Sequence, residues 1–127
     1  MKRIIIADDS GTARMFIKRC FEISGCQDVE FLEAENGLEA VELLKKATVD
    51  LVVSDLHMPE MDGTALLKKI KSSPRFHDIP VIIISSAANP KKVEELKSLM
   101  ASAVLSKPVS PASVSQALEP LLKNLEG

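Results

Sequence analysis

Apolar residues fall in five short clusters along the chain, separated by stretches in which apolar positions recur every three or four residues. The clusters are rich in Ile, Val and Leu and lie at residues 3–7, 29–34, 50–54, 80–85 and 103–106. Three of them are continuous apolar runs, which is typical of strands covered on both faces. The clusters therefore predict five β-strands.

The intervening stretches have the apolar spacing of amphipathic helices. Their predicted core-facing positions are Ala13, Phe16, Ile17 and Cys20; Leu38, Val41 and Leu44; Leu66, Leu67 and Ile70; Val93, Leu96 and Met100; and Val114, Ala117, Leu118, Leu121 and Leu122. Capping signals agree, because Asn36 precedes the second helix and Asn89 and Ser110 each precede a proline. Strand and helix alternate five times, which predicts one domain over residues 1–127.

This alternation predicts an α/β fold with a parallel sheet. Right-handed crossovers place helices on both faces, so we expect a flavodoxin-like (βα)5 three-layer sandwich with strand order 2-1-3-4-5. In such a fold the ligand site lies outside the carboxyl ends of the strands, at the switch point between the first and third strands.

Composition and charge exclude several function classes. The chain has 127 residues, 46% of them hydrophobic, and a formal net charge of -2. That charge gives no basic field for binding nucleic acid or anionic lipid. No apolar run reaches the length of a membrane span or a signal peptide, so we expect a cytoplasmic protein without membrane insertion. The spacing of Cys20 and Cys26 fits no zinc motif and favours free thiols.

Polar residues follow four of the five predicted strands at their carboxyl ends. They are Asp8 and Asp9 after the first, Asp55 after the third, Ser85 and Ser86 after the fourth, and Ser106 and Lys107 after the fifth. Any one of these acids alone could be a solvated loop residue or a helix cap. Together they should meet at one edge of the sheet, which favours a functional site.

Three crowded carboxylates repel one another and require a cation. An all-oxygen cluster open to solvent suits Mg²⁺, which keeps several waters and binds one or two carboxylates together with a phosphate oxygen. Lys107 would add a mobile positive charge, and the Ser85 hydroxyl a hydrogen bond. These groups predict a cradle for a phosphoryl group.

The segments "ADDS", "SDLHMPEMDG", "SS" and "SKP", each after one of these four strands, resemble the motifs of receiver domains of two-component response regulators. The resemblance covers the whole chain. It implies that Asp55 accepts a phosphoryl group from a sensor histidine kinase or a histidine phosphotransfer protein. It also implies that Mg²⁺ is bound by Asp8, Asp9, Asp55 and the backbone carbonyl of His57.

The same resemblance implies roles for two further residues. Ser85 matches the Ser/Thr switch position of the family, and Lys107 matches its lysine, commonly held by a cis peptide bond to the following proline, here Pro108. A carboxylate can act as the covalent nucleophile on phosphorus once it is positioned and its charge is offset. The sequence "MPEMDG" would then turn the chain away from Asp55 and open the third helix.

Several positions differ from the commoner family pattern. His57 lies two residues after the acceptor and is either a solvent-facing variable residue or a group that handles protons. Met100 stands where many relatives have glycine. Val104 replaces the aromatic rotamer switch, so we expect activation to reach the surface through the segment that follows the fourth strand.

The chain ends where the receiver ends, so we expect a stand-alone regulator like those of chemotaxis. The resemblance implies that its output is a surface of the fourth helix, fifth strand and fifth helix that binds a downstream protein. We do not expect a turnover enzyme. A receiver-like interaction module that signals without phosphorylation remains an alternative. A phosphatase with an aspartyl nucleophile is a third, although the position of its second acid is occupied by His57.

Overall fold

The computed structural model describes residues 1–86 and 89–126, the last four of these by their backbone alone. Five strands and five helices alternate along the chain. They are β1 (Arg3–Ala7), α1 (Gly11–Ile23), β2 (Glu30–Ala34), α2 (Gly37–Lys46), β3 (Leu51–Asp55), α3 (Gly63–Lys71), β4 (Val81–Ser85), α4 (Pro90–Ser98), β5 (Ala103–Ser106) and α5 (Pro111–Glu126). The predicted strand boundaries are met to within one residue.

The strands form one parallel sheet in the order β2-β1-β3-β4-β5. This order confirms the predicted flavodoxin-like topology. Every residue of β3 and β4 is buried, as expected for central strands covered on both faces. In the edge strand β5, the first three residues are partly buried and the last residue is exposed.

Helices cover both faces of the sheet. Since successive side chains of a strand point to opposite sides, each central strand contributes residues to two cores. Ile4 and Ile6 of β1 belong to a core with α1 and α5, whereas Ile5 and Ala7 belong to a core with α2, α3 and α4. None of the described helices is long and apolar enough to cross a lipid bilayer. Cys20 and Cys26 are buried free thiols, and burial raises the pKa of both.

Four residues predicted to face the core are instead exposed. They are Phe16, Leu38, Met100 and Leu122. In α2 the buried face consists of Gly37, Ala40, Val41 and Leu44. Leu38 lies outside this face, although it shares a helical spacing with Val41. Met100 follows the end of α4 and has a φ of 79°, a left-handed conformation that glycine adopts with less strain.

Candidate functional site

Three carboxylates meet at the carboxyl edge of the sheet. Asp8 and Asp9 follow β1, and Asp55 is the last residue of β3. One carboxylate oxygen of each lies within 4.8 Å of those of the other two. Asp8 is 1% exposed and Asp55 8% exposed, whereas Asp9 is open to solvent. The site is therefore an acidic pocket that is buried around Asp8 and Asp55 and open to solvent at Asp9.

Lys107 provides the positive charge of this pocket. Its Nζ lies 3.1 Å from Asp8 Oδ2 and 3.2 Å from Asp55 Oδ1. Its backbone N–H donates to the carbonyl of Ser85, 3.0 Å away, and its peptide bond to Pro108 is cis. The lysine thus bridges the ends of β1 and β3 while its backbone is attached to β4.

The pKa shifts in the pocket follow from one lysine facing two buried acids. Burial raises the pKa of Asp55, and the nearby charge of Asp8 raises it further, so that Lys107 and the Leu56 N–H offset these effects only in part. Burial lowers the pKa of Lys107, but its hydrogen bonds and charge interactions with both acids outweigh this, and the net shift is upward. The ammonium form of Lys107 is therefore favoured, whereas ionised Asp55 still lacks full compensation.

Local packing fixes the backbone around Asp55. Asp55 Oδ1 accepts the Leu56 N–H at 3.0 Å, and Ser54 Oγ donates to the Asp55 carbonyl at 2.8 Å. The Gly63 N–H donates to the Leu56 carbonyl at 2.9 Å, and a Cβ on Gly63 would collide with the Asp55 carbonyl oxygen. Glycine at this position therefore lets α3 begin directly against the end of β3, with Asp62 as its N-cap.

The remaining predicted residues lie at or near the same edge. Ser85 is buried at the end of β4 and lies opposite Ser106 of β5 in the strand register. Ser106 and Ser86 are exposed. The side chain of His57 is also exposed, in the loop after Asp55. On the predicted route from the site to α4, Ala87 and Ala88 lie outside the described residues.

The sequence analysis did not identify Arg14 as part of this site. Arg14 Nη1 donates to the Asp8 carbonyl at 2.6 Å, and its Nε pairs with Glu33 at 2.8 Å while only 14% of the side chain is exposed. The Ser10 N–H donates to Asp8 Oδ1 at 2.9 Å. These bonds hold the segment that carries Asp8 and Asp9. An arginine that bonds a backbone carbonyl leaves no signal in the pattern of apolar positions.

The donor set suits a hard cation. Asp8, Asp9 and Asp55 offer only oxygen, and Lys107 is the one described lysine that pairs with these acids. A carboxylate cluster that is open to water on the side of Asp9 fits Mg²⁺, which retains part of its hydration shell. The backbone carbonyl of His57 belongs to the loop beside them. The residues present therefore fit a magnesium site.

Comparisons with known proteins agree with this geometry. The family model of the response regulator receiver domain matches residues 4–119. Chemotaxis protein CheY1 of Helicobacter pylori is 37% identical over 123 residues, which cover 94% of this chain and 96% of that protein. A chemotaxis protein CheY homolog of Campylobacter jejuni is 35% identical, with coverages of 94% and 92%.

Solved structures resemble the fold over nearly the whole chain. The signal receiver domain of a signal transduction histidine kinase from Syntrophus aciditrophicus superposes with a TM-score of 0.84 at 31% identity and covers 99% of this chain and 93% of that one. Chemotaxis response regulator CheY4 of Vibrio cholerae superposes with a TM-score of 0.77 at 28% identity, with coverages of 99% and 97%.

Proposed function

Because the chain belongs to the response regulator receiver domain family and is similar to CheY-type chemotaxis proteins, we propose that it accepts a phosphoryl group on Asp55. The donor is a phosphohistidine of a sensor histidine kinase or of a histidine phosphotransfer protein. The modification switches a surface that binds a downstream protein, as in chemotaxis-type signalling or a phosphorelay. The buried Asp55 carboxylate, which lies beside Asp8 and is paired with the Lys107 that bridges both acids, is the observation that carries this proposal.

The contacts of Asp55 support a proposal for which of its oxygens reacts. Oδ1 is engaged by the Leu56 N–H and by Lys107, and no hydrogen bond among the described residues reaches Oδ2. In the proposed step, Oδ2 forms a bond to phosphorus while the phosphorus–nitrogen bond of the donor breaks. The electron pair of that bond stays on the imidazole nitrogen, which takes a proton from solvent. Lys107 remains charged and offsets negative charge on the phosphoryl oxygens.

Magnesium is the cofactor that we propose for this step. Asp8, Asp9, Asp55 and the His57 backbone carbonyl would hold it. When bound, the ion offsets the charge of the carboxylates and of the phosphoryl oxygens. Arg14 and the Ser10 N–H keep Asp8 in place for this role.

The proposed reaction consumes one site per molecule. Residues 1–127 would act as one receiver domain that promotes its own phosphorylation and dephosphorylation, without turnover of an external substrate. We also propose a cytoplasmic location, as the sequence analysis predicts.

The test is incubation with a small phosphodonor and Mg²⁺, followed by intact mass measurement. We expect a gain of one phosphoryl group that is labile to base, depends on Mg²⁺ and is lost in Asp55→Asn. Asp50→Asn, at the opposite end of β3, is the matched control and should be modified like the parent. A stable adduct on Ser85 or His57 would overturn the proposal. No adduct at all would favour an interaction module that signals without phosphorylation.

A further inference from the structure

The loop that follows Asp55 is attached to a helix from another part of the chain. Gly37, the first residue of α2, donates its N–H to the carbonyl of Met61 at 2.9 Å. Met61 lies between β3 and α3, four residues after His57. This bond therefore ties the α2 N-terminus to the loop that carries the proposed carbonyl ligand.

Gly37 leaves no room for a side chain at this contact. A Cβ added there would lie 2.6 Å from Met61 Cγ, 2.7 Å from Met61 O and 2.9 Å from Met61 Cβ. One of these atoms is backbone, so moving the side chain of Met61 alone could not relieve the overlap. At Gly11 the nearest atom to such a Cβ is 3.4 Å away, and at Gly25 nothing lies within 4 Å. Among the described glycines, only Gly37 and Gly63 approach another segment this closely, and Gly37 is the one that does so between α2 and the loop.

The loop itself has a tight and partly strained path. Its base is closed by the bond from the Gly63 N–H to the Leu56 carbonyl, and the Met61 N–H donates to the Pro59 carbonyl at 2.7 Å. Glu60 has a φ of 66°, a conformation that a residue with a side chain keeps only when its surroundings hold it. The contact between Gly37 and Met61 lies next to Glu60 and supplies such a restraint.

We propose that Gly37 is a positioning residue for the magnesium site. Without a side chain, it lets Met61 dock on α2, and this docking holds residues 57–61 so that the His57 carbonyl faces the carboxylates. Gly37 does not contact the metal itself. The proposal rests on the proposed function, since it takes the His57 carbonyl as a ligand. It adds a remote contact, between α2 and the loop, that sets metal affinity.

The first experiment is a Mg²⁺ titration of the full chain. Binding is monitored through the NMR chemical shifts of the backbone amides of Asp9 and His57. Groups that orient metal ligands typically change metal affinity by 10-fold or more when they are altered, so we expect Gly37→Ala to bind Mg²⁺ about tenfold more weakly than the parent. Leu44→Ala is the matched control. Leu44 is buried in the same helix but near its other end, so this variant should lose stability through the cavity and keep its Mg²⁺ affinity.

A second measurement needs no variant and remains decisive if Gly37→Ala does not fold. Coupling between two events is reciprocal, so Mg²⁺ bound to the parent must in turn stabilise the Gly37–Met61 bond. We expect Mg²⁺ to slow hydrogen exchange of the Gly37 amide, while exchange of the Ala47 amide, bonded to Leu43 at the other end of α2, stays the same.

The outcomes separate this inference from the proposed function. If the parent shows no Mg²⁺-dependent shifts at Asp9 and His57, the proposed metal site itself is wrong. If the parent binds Mg²⁺ but Gly37→Ala binds it equally well, the positioning role is wrong. Equal weakening in Gly37→Ala and Leu44→Ala, or unchanged Gly37 exchange with Mg²⁺, would also overturn that role.

Discussion

The two ends of β3 each carry an aspartate, and the two side chains have opposite environments. Asp50 precedes the strand at the amino edge of the sheet and accepts the backbone N–H groups of Lys2 and Arg3 at 2.7 and 3.1 Å. Asp55 ends the strand at the carboxyl edge, beside the carboxylate of Asp8. The same residue type thus satisfies backbone donors at one end and meets a like charge at the other.

The pKa shifts of the two acids express this difference. Burial raises the pKa of Asp50, but the backbone N–H groups of Lys2 and Arg3, together with the charges of the N-terminus and of Arg3, outweigh it, and the net shift is downward. For Asp55, burial and the charge of Asp8 together outweigh Lys107, and the pKa is raised. The amino-edge acid therefore stabilises the fold in its ionised form, whereas the carboxyl-edge acid is left for a cation or a chemical reaction to neutralise.

The largest expected effect comes from removing the only cation that pairs with the carboxyl-edge acids among the described residues. Lys107→Met leaves Asp8 and Asp55 without their shared counter-charge. Loss of one group that stabilises transition-state charge costs about 10²–10³ in rate, and we expect phosphorylation of Asp55 to slow by that factor. The measurement is the initial rate of mass gain with a small phosphodonor and Mg²⁺.

Lys97→Met is the control for Lys107→Met, because Lys97 is exposed in the last turn of α4. Its phosphorylation rate should equal that of the parent. Equal rates in Lys107→Met and Lys97→Met would break the comparison, since the charge imbalance at the carboxyl edge would then have no chemical consequence.

The next effect concerns how a change at the carboxyl edge reaches the surface. Val104 is partly buried against the core shared by α2, α3 and α4, and its short β-branched side chain has little freedom to swing. A modification shifts an equilibrium only through contacts that differ between the two states. We take that contact to be the Ser85 hydroxyl to the phosphoryl group.

We therefore expect Ser85→Ala to be phosphorylated on Asp55 but to lose most of the response of α4, and Val104→Ala to retain the response. The measurement is amide exchange or NMR shift mapping of residues 86–100 with and without a phosphoryl mimic. The reverse pattern, in which Val104→Ala abolishes the response and Ser85→Ala does not, would show that β5 carries the signal.

Sequence patterns predicted most of this architecture for physical reasons that can be named. Strands covered on both faces must be apolar throughout, which made β1, β3 and β4 visible as continuous runs. Parallel strands place their carboxyl ends at one edge, so the clustering of Asp8, Asp9, Asp55 and Lys107 followed from topology. The roles of these residues remain a prediction.

Other features depend on contacts between segments that are distant in sequence and leave no local signal. Arg14 bonds a backbone carbonyl and an acid of β2, and Gly37 matters because Met61 packs on it. Phe16 and Leu38 fit a helical stripe but lie just outside the face that the sheet covers. Periodicity predicts that a helix has a buried face but sets the edge of that face only loosely.

A smaller effect is expected on the free energy of unfolding, which compares the aspartates at the two ends of β3 directly. Asp50→Ala removes a charged acceptor of two hydrogen bonds, which should lower the free energy of unfolding at neutral pH by about 1–2 kcal/mol. Because the pKa of Asp50 is lowered in the folded state, its contribution is present above the unfolded-state pKa and is lost as the pH falls through the folded-state value. The variant and the parent should therefore converge in acid.

Asp55→Asn should behave in the opposite way in metal-free protein. The raised pKa of Asp55 means that its contribution to stability is present below the unfolded-state pKa and is lost as the pH rises through the folded-state value. The neutral amide should therefore make the variant more stable than the parent at neutral pH, with no advantage in acid. Urea unfolding followed by far-UV circular dichroism at several pH values tests both variants. A stabilising Asp50→Ala or a destabilising Asp55→Asn would contradict the contrast.

The smallest effect is expected at His57, which lies at the carboxyl edge of the sheet but does not bond to the buried acids or to Lys107 through its side chain. Its side chain is exposed, and the described residues form no hydrogen bond or ion pair with the ring. A positioned general base contributes about 10²–10⁴-fold to a rate, and a ring without partners is not positioned, so His57→Ala should change the aspartyl-phosphate half-life by less than about tenfold. The measurement is phosphoryl loss after donor removal, in the variant and the parent, across the neutral pH range.

A much longer half-life in His57→Ala would show that the imidazole orders the attacking water. The reactive surface of the carboxyl edge would then extend beyond the buried pocket of Asp8, Asp55 and Lys107.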